Sequence, residues 1–244
     1  EVESNGYVVK SMSSSGKVGF RRVRSHVHFA DWTQGPDSAE ALLALPSVHM
    51  VTITVTESGY YLDEAGALNP EDPVMKAELS GANPTTIYGY LSRALALRKA
   101  ANLGEISILC CDNIRQNGKM LQRNLFAYLD IQGDTDLADW VKSSVTFPCS
   151  MVDRITPRST DALRFDVESL FGPSPFAPVM AEDFLQWVVE DDFIAARPDL
   201  PKVGVIFTKN VDPYEEAKIR ILNGGHTCLT YLGALAGHNT FDQV

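Results

Sequence analysis

The chain has 244 residues, of which 45% are hydrophobic and 21% charged, a balance typical of a globular protein with a substantial core. Its net charge of −10 argues against a nucleic-acid-binding protein, because affinity for the phosphate backbone comes largely from Lys and Arg. No apolar run approaches the roughly 18 residues of a membrane span, and no basic amphipathic stretch favours a membrane surface. The four cysteines have neither CxxC nor zinc spacing, which predicts reduced thiols, no bound metal and a cytoplasmic location.

Strand-like and helix-like segments alternate along most of the chain. Residues 48–55 and 105–111 are β-branched or apolar almost throughout, as in strands buried on both faces of a parallel sheet. Apolar residues at helical spacing follow each of them, after Asn83-Pro84 and after Asn117-Gly118. This order predicts an α/β fold. Further strands are predicted at 7–12, 20–29, 184–190 and 203–208, and further helices at 36–45 and from Asp212 onward.

The last predicted helix carries four polar side chains on one face. Asp212 is a good N-cap, and Glu215 stands where a capping box places an acid. At about 100° per residue, Glu215, Lys218, Asn223 and His226 fall within an arc of about 140°, between apolar positions. Two interpretations stay open from this spacing. One is an active-site wall in which a Lys with a lowered pKa acts as a base, and the other is a capped surface helix with solvated charges.

Several longer motifs lie between about residue 48 and residue 237, in the same order as in one known family of proteins. Residues Asp212–His226 read DPYEEAKIRILNGGH and closely resemble the signature of the polyol-specific long-chain dehydrogenases, the mannitol dehydrogenase family. The shorter motifs Thr85–Gly89 and Pro178–Met180 look most like the D-arabinitol 4-dehydrogenase branch of that family. The other matching motifs are Thr52–Tyr61, Cys111–Gly118, Pro148–Pro157, Phe184–Glu190 and Arg197-Pro198.

The resemblance implies an enzyme that oxidises a secondary alcohol of a polyol to a ketose with NAD(P) and without a metal. By position in the motifs, Lys218 matches the family's catalytic base, and Asn113 and Asn223 match the amides that stabilise the alkoxide. His226 matches a contact to a substrate hydroxyl, and Glu215 matches the acid of a proton path to solvent.

Substrate and cofactor contacts are also implied. Asp153 and the adjacent Arg154 lie in a motif associated with the substrate pocket. Asn113 follows a predicted strand directly, and Thr56 and Glu57 follow another, where α/β sheets bind ligands, so we expect them to line the cofactor. Without the resemblance, Asn113 would be interpreted as an Asx-turn residue, and Asp153 with Arg154 as a buried ion pair that holds a loop.

The sequence contains no GxGxxG motif for a dinucleotide pyrophosphate. We therefore expect residues 1–208 to form a Rossmann-like domain that lacks its first βα unit, and residues 209–244 to begin a mainly α-helical substrate domain. This predicts a fragment that is inactive alone. The tip of strand 7–12 carries Lys10 and serines that can accept the 2′-phosphate of NADP, whereas the resemblance implies NAD, so NAD is expected only slightly ahead of NADP.

Two alternatives remain at this point. A fructuronate- or mannonate-type sugar-acid oxidoreductase of the same family would need a cationic carboxylate clamp, for which Arg154 and Arg158 are the candidates. A non-catalytic remnant would explain the absent glycine loop. The expected partners are a small polyol or ketose, with no nucleic acid, membrane or metal, and the expected state is a monomer or weak oligomer.

Overall fold

The computed structural model describes residues 6–13, 15–31, 36–173, 177–239 and 243. Within them the strands are β1 Tyr7–Met12, β2 Val18–Val23, β3 Met50–Ile53, β4 Ile106–Cys110, β5 Val145–Thr146, β6 Ser150–Asp153, β7 Val179–Glu182, β8 Gln186–Glu190 and β9 Ile206–Thr208. The helices are α1 Pro36–Leu43, α2 Pro73–Leu79, α3 Ile87–Ala100, α4 Asn117–Gln132, α5 Thr135–Ser144, α6 Asp161–Phe171, α7 Asp212–Ala217 and α8 Gly224–Leu235. None of these helices is long and apolar enough to cross a bilayer.

The central sheet is parallel, with the strand order β3-β4-β5. Every residue of β4 is buried, and α3, α4 and α5 pack around it in the largest hydrophobic core. The predicted α/β fold with parallel members is therefore confirmed. The predicted burial on both faces is confirmed for β4. It is wrong for β3, which is only partly buried and exposes Thr52.

Two further three-stranded sheets complete the described strands. In one, β1 pairs antiparallel with β2 and parallel with β7, and α6 packs on it through Leu163 and Val167. In the other, β8 pairs antiparallel with β6 and parallel with β9. Asp153 at the end of β6 stands opposite Gln186 at the start of β8, so these two strands meet at one edge.

Several predicted boundaries were wrong. The strands predicted at 184–190 and 203–208 begin only at Gln186 and Ile206, and the helix predicted at 36–45 ends at Leu43. Two further differences have a visible cause. The strand predicted at 20–29 ends at Val23, because its partner β1 begins at the opposite residue, Tyr7, and offers no further ladder. The third helix begins at Ile87, since Thr86 and not Asn83 is its N-cap; the Thr86 Oγ1 accepts the Gly89 N–H at 3.2 Å. The Thr86 N–H and hydroxyl also donate to the Glu78 carboxylate of α2, at 2.9 and 2.7 Å, so in both places a contact with another element decides the boundary.

The end of β4, the start of α4 and the start of β6 are tied together by one side chain. The Asn117 amide donates to the carbonyls of Asp112 and Ser150, at 2.9 and 2.8 Å, and its oxygen accepts the Ser150 N–H at 3.0 Å. A Cβ at the next residue, Gly118, would stand 2.3 Å from the Phe147 carbonyl oxygen. The close approach of α4 to this loop therefore requires glycine.

The helix predicted from Asp212 is present, but it is not regular. It begins at Asp212 without a side-chain cap, contrary to the predicted capping role, and continues through a π-helical segment from Lys218 to Asn223 into α8. There the Gly224 N–H donates to the Ile219 carbonyl, five residues earlier. A π segment is rare and occurs often at functional sites.

Candidate active site

A cavity of about 470 Å3 opens where the ends of β4 and β6 meet the start of β8 and the π-helical segment. Its walls combine charged and amide side chains with apolar ones. They are Cys111, Asn113, Val152, Asp153, Arg154, Ile155, Leu185, Gln186, Trp187, Lys218, Leu222, Asn223 and His226. Among the predicted catalytic and substrate residues, Asn113, Asp153, Arg154, Lys218, Asn223 and His226 are thus brought together.

Lys218 is held at the inner wall of this cavity, and its side chain is 9% exposed. Its Nζ donates to the Asn113 Oδ1 and to the Val152 carbonyl, and lies 3.8 Å from the Asp153 carboxylate. Burial lowers the pKa of Lys218, and the charge of Asp153 opposes that shift. The solvated surface-helix interpretation fails for Lys218. It holds for Arg220, which is largely exposed and pairs with Glu216 at 2.6 Å.

Asn113 lies three residues beyond Cys110, the last residue of β4, at the end of the sheet where ligands of α/β proteins bind. Its carbonyl oxygen accepts from Lys218, so its NH2 group is left as the donor toward a bound molecule. An Asx turn alone does not account for this contact across 105 residues of sequence.

Asp153 and Arg154 do not form the ion pair that we considered. Asp153 faces Lys218, whereas the Arg154 Nε and Nη2 donate to the Glu182 carbonyl at 3.1 and 3.0 Å. The Glu182 carboxylate in turn accepts the Ile155 N–H at 2.6 Å. The wall formed by Arg154 and Ile155 is therefore fastened to the end of β7.

Glu215, one turn before Lys218, is 5% exposed. Both of its oxygens accept the Gln116 N–H at 3.2 Å, at the start of α4. Burial is the main cause that raises the pKa of Glu215, and the Gln116 hydrogen bond opposes it. A second cavity of about 30 Å3 is lined by Glu215, Lys218 and Asn223 among others, and a buried water needs only about 10–15 Å3.

Asn223 and His226 reach the cavity from the far end of the helical segment. On a regular α-helix Asn223 would lie about 140° from Lys218. The π-helical turn pairs residues five apart, which brings Asn223 back toward the face of Lys218. The Gly224-Gly225 pair is not forced by close packing, since a Cβ at Gly225 would meet nothing within 4 Å in the described chain.

The two predicted cofactor residues of the first loop do not line the described cavity. Thr56 follows β3 and precedes a 3-10 turn, Glu57–Tyr60. Its N–H donates to the Asp112 carboxylate at 3.0 Å. Thr56 and Glu57 therefore stand at the same sheet edge as Asn113, after the neighbouring strand.

Several residues that build this site were not predicted from the sequence. Asp112 and Asn117 lie inside a recognised motif, which was the available signal, but neither was given a role. The Val152 carbonyl has no sequence signal, because any residue supplies one. Gln186 and Trp187 also lie in a matching motif and line the cavity.

A metal site, the cysteines and the Lys10 region were also considered as functional features. The described residues contain no group of three or more His, Cys, Asp or Glu placed to hold a metal ion. Burial raises the pKa of the Cys111 thiol to about 12, as expected for a buried thiol and not for a nucleophile. Lys10 pairs with Asp166 at 2.6 Å, and this carboxylate competes with any 2′-phosphate.

Comparison with known proteins places these residues in a family. The model of the mannitol dehydrogenase Rossmann domain matches residues 4–202, and that of the mannitol dehydrogenase C-terminal domain matches residues 210–244. The predicted domain boundary between 208 and 209 stays a prediction.

Sequence relatives include a D-arabinitol 4-dehydrogenase of Ralstonia nicotianae, 40% identical over 235 residues, which are 96% of this chain and 50% of the relative. A mannitol 2-dehydrogenase of Pyrenophora tritici-repentis is 41% identical over 88% of this chain and 39% of its own length. The chain spans about half the length, or less, of these curated relatives.

Solved structures agree with the sequence relatives. A substrate-free D-sorbitol dehydrogenase matches with a TM-score of 0.87 at 35% identity, over 95% of this chain and 48% of that one. The Pseudomonas fluorescens mannitol 2-dehydrogenase, solved with NAD and D-mannitol, matches with a TM-score of 0.86 at 35% identity, over 95% and 47%. The chain belongs to the mannitol dehydrogenase family.

Proposed function

We propose that this chain carries the base and oxyanion site of an NAD-dependent dehydrogenase that oxidises a secondary alcohol of a polyol, D-arabinitol or a mannitol-like hexitol, to a ketose. One observation carries the proposal. Lys218 is desolvated inside the cavity, with its Nζ between Asn113 and the Val152 carbonyl, beside Asn223 and His226. The names of the relatives, a D-arabinitol 4-dehydrogenase and a mannitol 2-dehydrogenase, support the substrate class.

The residues present fit the nicotinamide end of a dinucleotide. The loops after the parallel strands β3 and β4 stand side by side, and their backbones are joined through Asp112. This is the edge at which α/β sheets hold ligands. NAD+ would accept the hydride from the alcohol carbon, and the NAD in the related mannitol 2-dehydrogenase complex supports this choice over NADP.

The chain's own residues handle the proton and the oxygen. A neutral Lys218 accepts the hydroxyl proton, and the lowered pKa increases the neutral fraction near pH 7. The Asn113 NH2 and the Asn223 amide then donate to the oxygen as it gains negative charge. His226 and Asp153, which line the same cavity, bind neighbouring hydroxyls and hold the reacting carbon in place.

Glu215 provides the route by which Lys218 is recharged. The small cavity touches both side chains and has room for a water, so the proton moves from Lys218 to Glu215 and outward. Burial favours the protonated carboxyl, which makes Glu215 a better acceptor than an exposed Glu.

A polyol fits this site better than a sugar acid. The Asp153 carboxylate beside Lys218 repels a second carboxylate, and the Arg154 guanidinium is engaged by the Glu182 carbonyl. The catalytic proposal also accounts for what a binding remnant would not. Burying a lysine costs stability, and in a non-catalytic remnant no function would compensate for that cost.

The experiment compares Lys218→Ala with Arg220→Ala, an exposed cation on the same helix, in the full-length protein. Pentitols, hexitols and uronates are screened with NAD+ and NADP+. We expect turnover of a polyol with NAD+, a loss of about 10²–10⁴ in kcat in Lys218→Ala with partial rescue by added amines, and little change in Arg220→Ala. Near-normal turnover in Lys218→Ala contradicts the assignment of the base, and a preference for uronates contradicts the substrate class.

A further inference from the structure

The loop after β3 holds an unusual backbone conformation. Thr56 has φ 62° and ψ 170°. This region is essentially restricted to glycine, and for a β-branched residue it is a genuine outlier. Such conformations persist only where surrounding contacts enforce them, and they cluster at sites of function. Specific contacts must therefore hold Thr56 in this conformation.

One buried carboxylate supplies them. The Asp112 Oδ2 accepts the Val55 N–H at 2.9 Å, and its Oδ1 accepts the Thr56 N–H at 3.0 Å. The Tyr60 hydroxyl, at the other end of the 3-10 turn, also donates to Asp112. Asp112 is 7% exposed and Tyr60 is fully buried, so water does not compete well for these bonds. Asp112 thus binds the loop at both ends.

The same residue belongs to the segment that carries Asn113. The Asp112 carbonyl accepts from the Asn117 amide at 2.9 Å, which fixes it to α4 and β6. The next residue, Asn113, accepts from Lys218. One residue therefore joins the loop at the end of β3 to the segment that contacts the proposed base.

We propose that Asp112 is a positioning residue that holds the Val55–Thr56 turn in its strained conformation and, through its backbone, holds Asn113 beside Lys218. The inference rests on the proposed function, because the turn matters as part of the cofactor edge. Loss of the carboxylate lets Thr56 relax to negative φ, which moves the turn away from the dinucleotide and loosens Asn113.

The first test needs no ligand. Hydrogen exchange is measured in full-length Asp112→Ala, Thr56→Gly and the double variant, with Asp63→Ala as the matched control. Asp63 is a second carboxylate that accepts two backbone N–H groups, those of Ala65 and Ala67, both at 2.9 Å. We expect Asp112→Ala to speed exchange at Val55 and Thr56 by about tenfold or more, and Asp63→Ala to act only on its own loop.

Glycine adopts positive φ without strain, so the loop depends less on the carboxylate in the Thr56→Gly background. We expect Asp112→Ala to speed exchange there by a clearly smaller factor. Equal factors in the two backgrounds would overturn the proposal, and so would unchanged exchange at Val55 and Thr56 in Asp112→Ala. Asp112→Asn keeps one acceptor oxygen and should fall between the parent and Asp112→Ala.

The second test uses NAD+ binding. Asp112→Ala should raise the Kd of NAD+ by about tenfold, with part of that loss recovered in the Thr56→Gly background, while Asp63→Ala leaves it unchanged. If exchange changes in Asp112→Ala but the Kd does not, the positioning role is wrong. If the parent protein fails to bind NAD+, the proposed function fails, and the exchange measurements still decide whether Asp112 holds the turn.

Discussion

Lys218 and Glu215 stand one turn apart, and burial moves their pKa values toward each other. The pKa of Lys218 is lowered and that of Glu215 is raised, in each case chiefly because burial disfavours the charged form. Folding therefore stabilises the neutral form of both groups, and both charged forms cost stability at neutral pH. A lysine and a carboxyl that differ less in acidity exchange a proton more readily, which suits a relay.

The variant Glu215→Gln should separate the contribution of the Glu215 carboxyl to turnover from its contribution to stability. Because the folded-state pKa of Glu215 is raised, the carboxyl destabilises the fold increasingly as pH rises above the unfolded value of 4.5. Glu215→Gln should remove that decline, so its unfolding free energy at pH 7 equals or exceeds the parent's. If Glu215 accepts the proton from Lys218 as we propose, turnover should also fall by about tenfold or more.

The matched control is Glu216→Gln, a partly exposed neighbour paired with Arg220. It should change neither turnover nor the pH dependence of unfolding appreciably. Urea unfolding between pH 4 and 8, together with kcat against pH, makes the measurement. Unaltered turnover in Glu215→Gln would show that protons leave Lys218 by another route.

Helices and strands whose own residue pattern determines their extent were predicted well. Elements whose extent depends on another part of the structure were not. The strands β3 and β4 are β-branched or apolar at most positions, and their parallel pairing was predicted correctly. The end of β2 depends on the length of β1, and the π-helical segment has no residue signature. Local sequence patterns do not encode either feature.

The same division applies to the site. The polar residues of the last helix and Asn113 were identified from motifs and helical spacing. The Val152 carbonyl and the Asp112 bonds to Val55 and Thr56 were not, because they join backbone groups distant in sequence. Regular-helix geometry also misplaced Asn223 relative to Lys218, since it assumed 3.6 residues per turn throughout.

The junction of α4 with the loop before β6 gives a prediction at this scale. Gly118→Ala puts a Cβ 2.3 Å from the Phe147 carbonyl oxygen and 2.6 Å from that of Pro148. Both atoms are backbone, so the helix must shift, and we expect a loss of about 1–3 kcal/mol in the free energy of unfolding.

Gly104→Ala is the control, because a Cβ there meets nothing within 4 Å in the described chain. It should be neutral or slightly stabilising, since alanine restricts the unfolded chain. Urea denaturation at pH 7 compares the two variants with the parent. A Gly118→Ala protein as stable as Gly104→Ala would mean that α4 does not approach this loop as closely as described.

Across the whole molecule, apolar burial is unevenly divided. The central sheet and its helices share one large core, whereas β1, β7 and α6 are held by the small cluster Val8, Leu163, Val167 and Met180. Regions with few buried contacts open locally at lower free energy than the whole protein unfolds. The end of β7 nevertheless reaches the candidate active site, because Glu182 holds Arg154 and Ile155.

Leu163→Ala tests whether that peripheral sheet supports the site. A buried Leu→Ala change costs about 2–5 kcal/mol, and here it acts on a cluster of four residues. We expect faster hydrogen exchange in β1 and β7 and little change in β3 and β4. The KM for the polyol should rise because the wall formed by Arg154 and Ile155 loosens. The kcat should stay nearly unchanged, since Lys218 and Asn113 keep their positions. Leu125→Ala, in the large core, should instead speed exchange throughout and lower global stability. If hydrogen exchange in β7 is faster in Leu163→Ala but the KM is unchanged, the sheet formed by β1, β2 and β7 does not influence substrate binding.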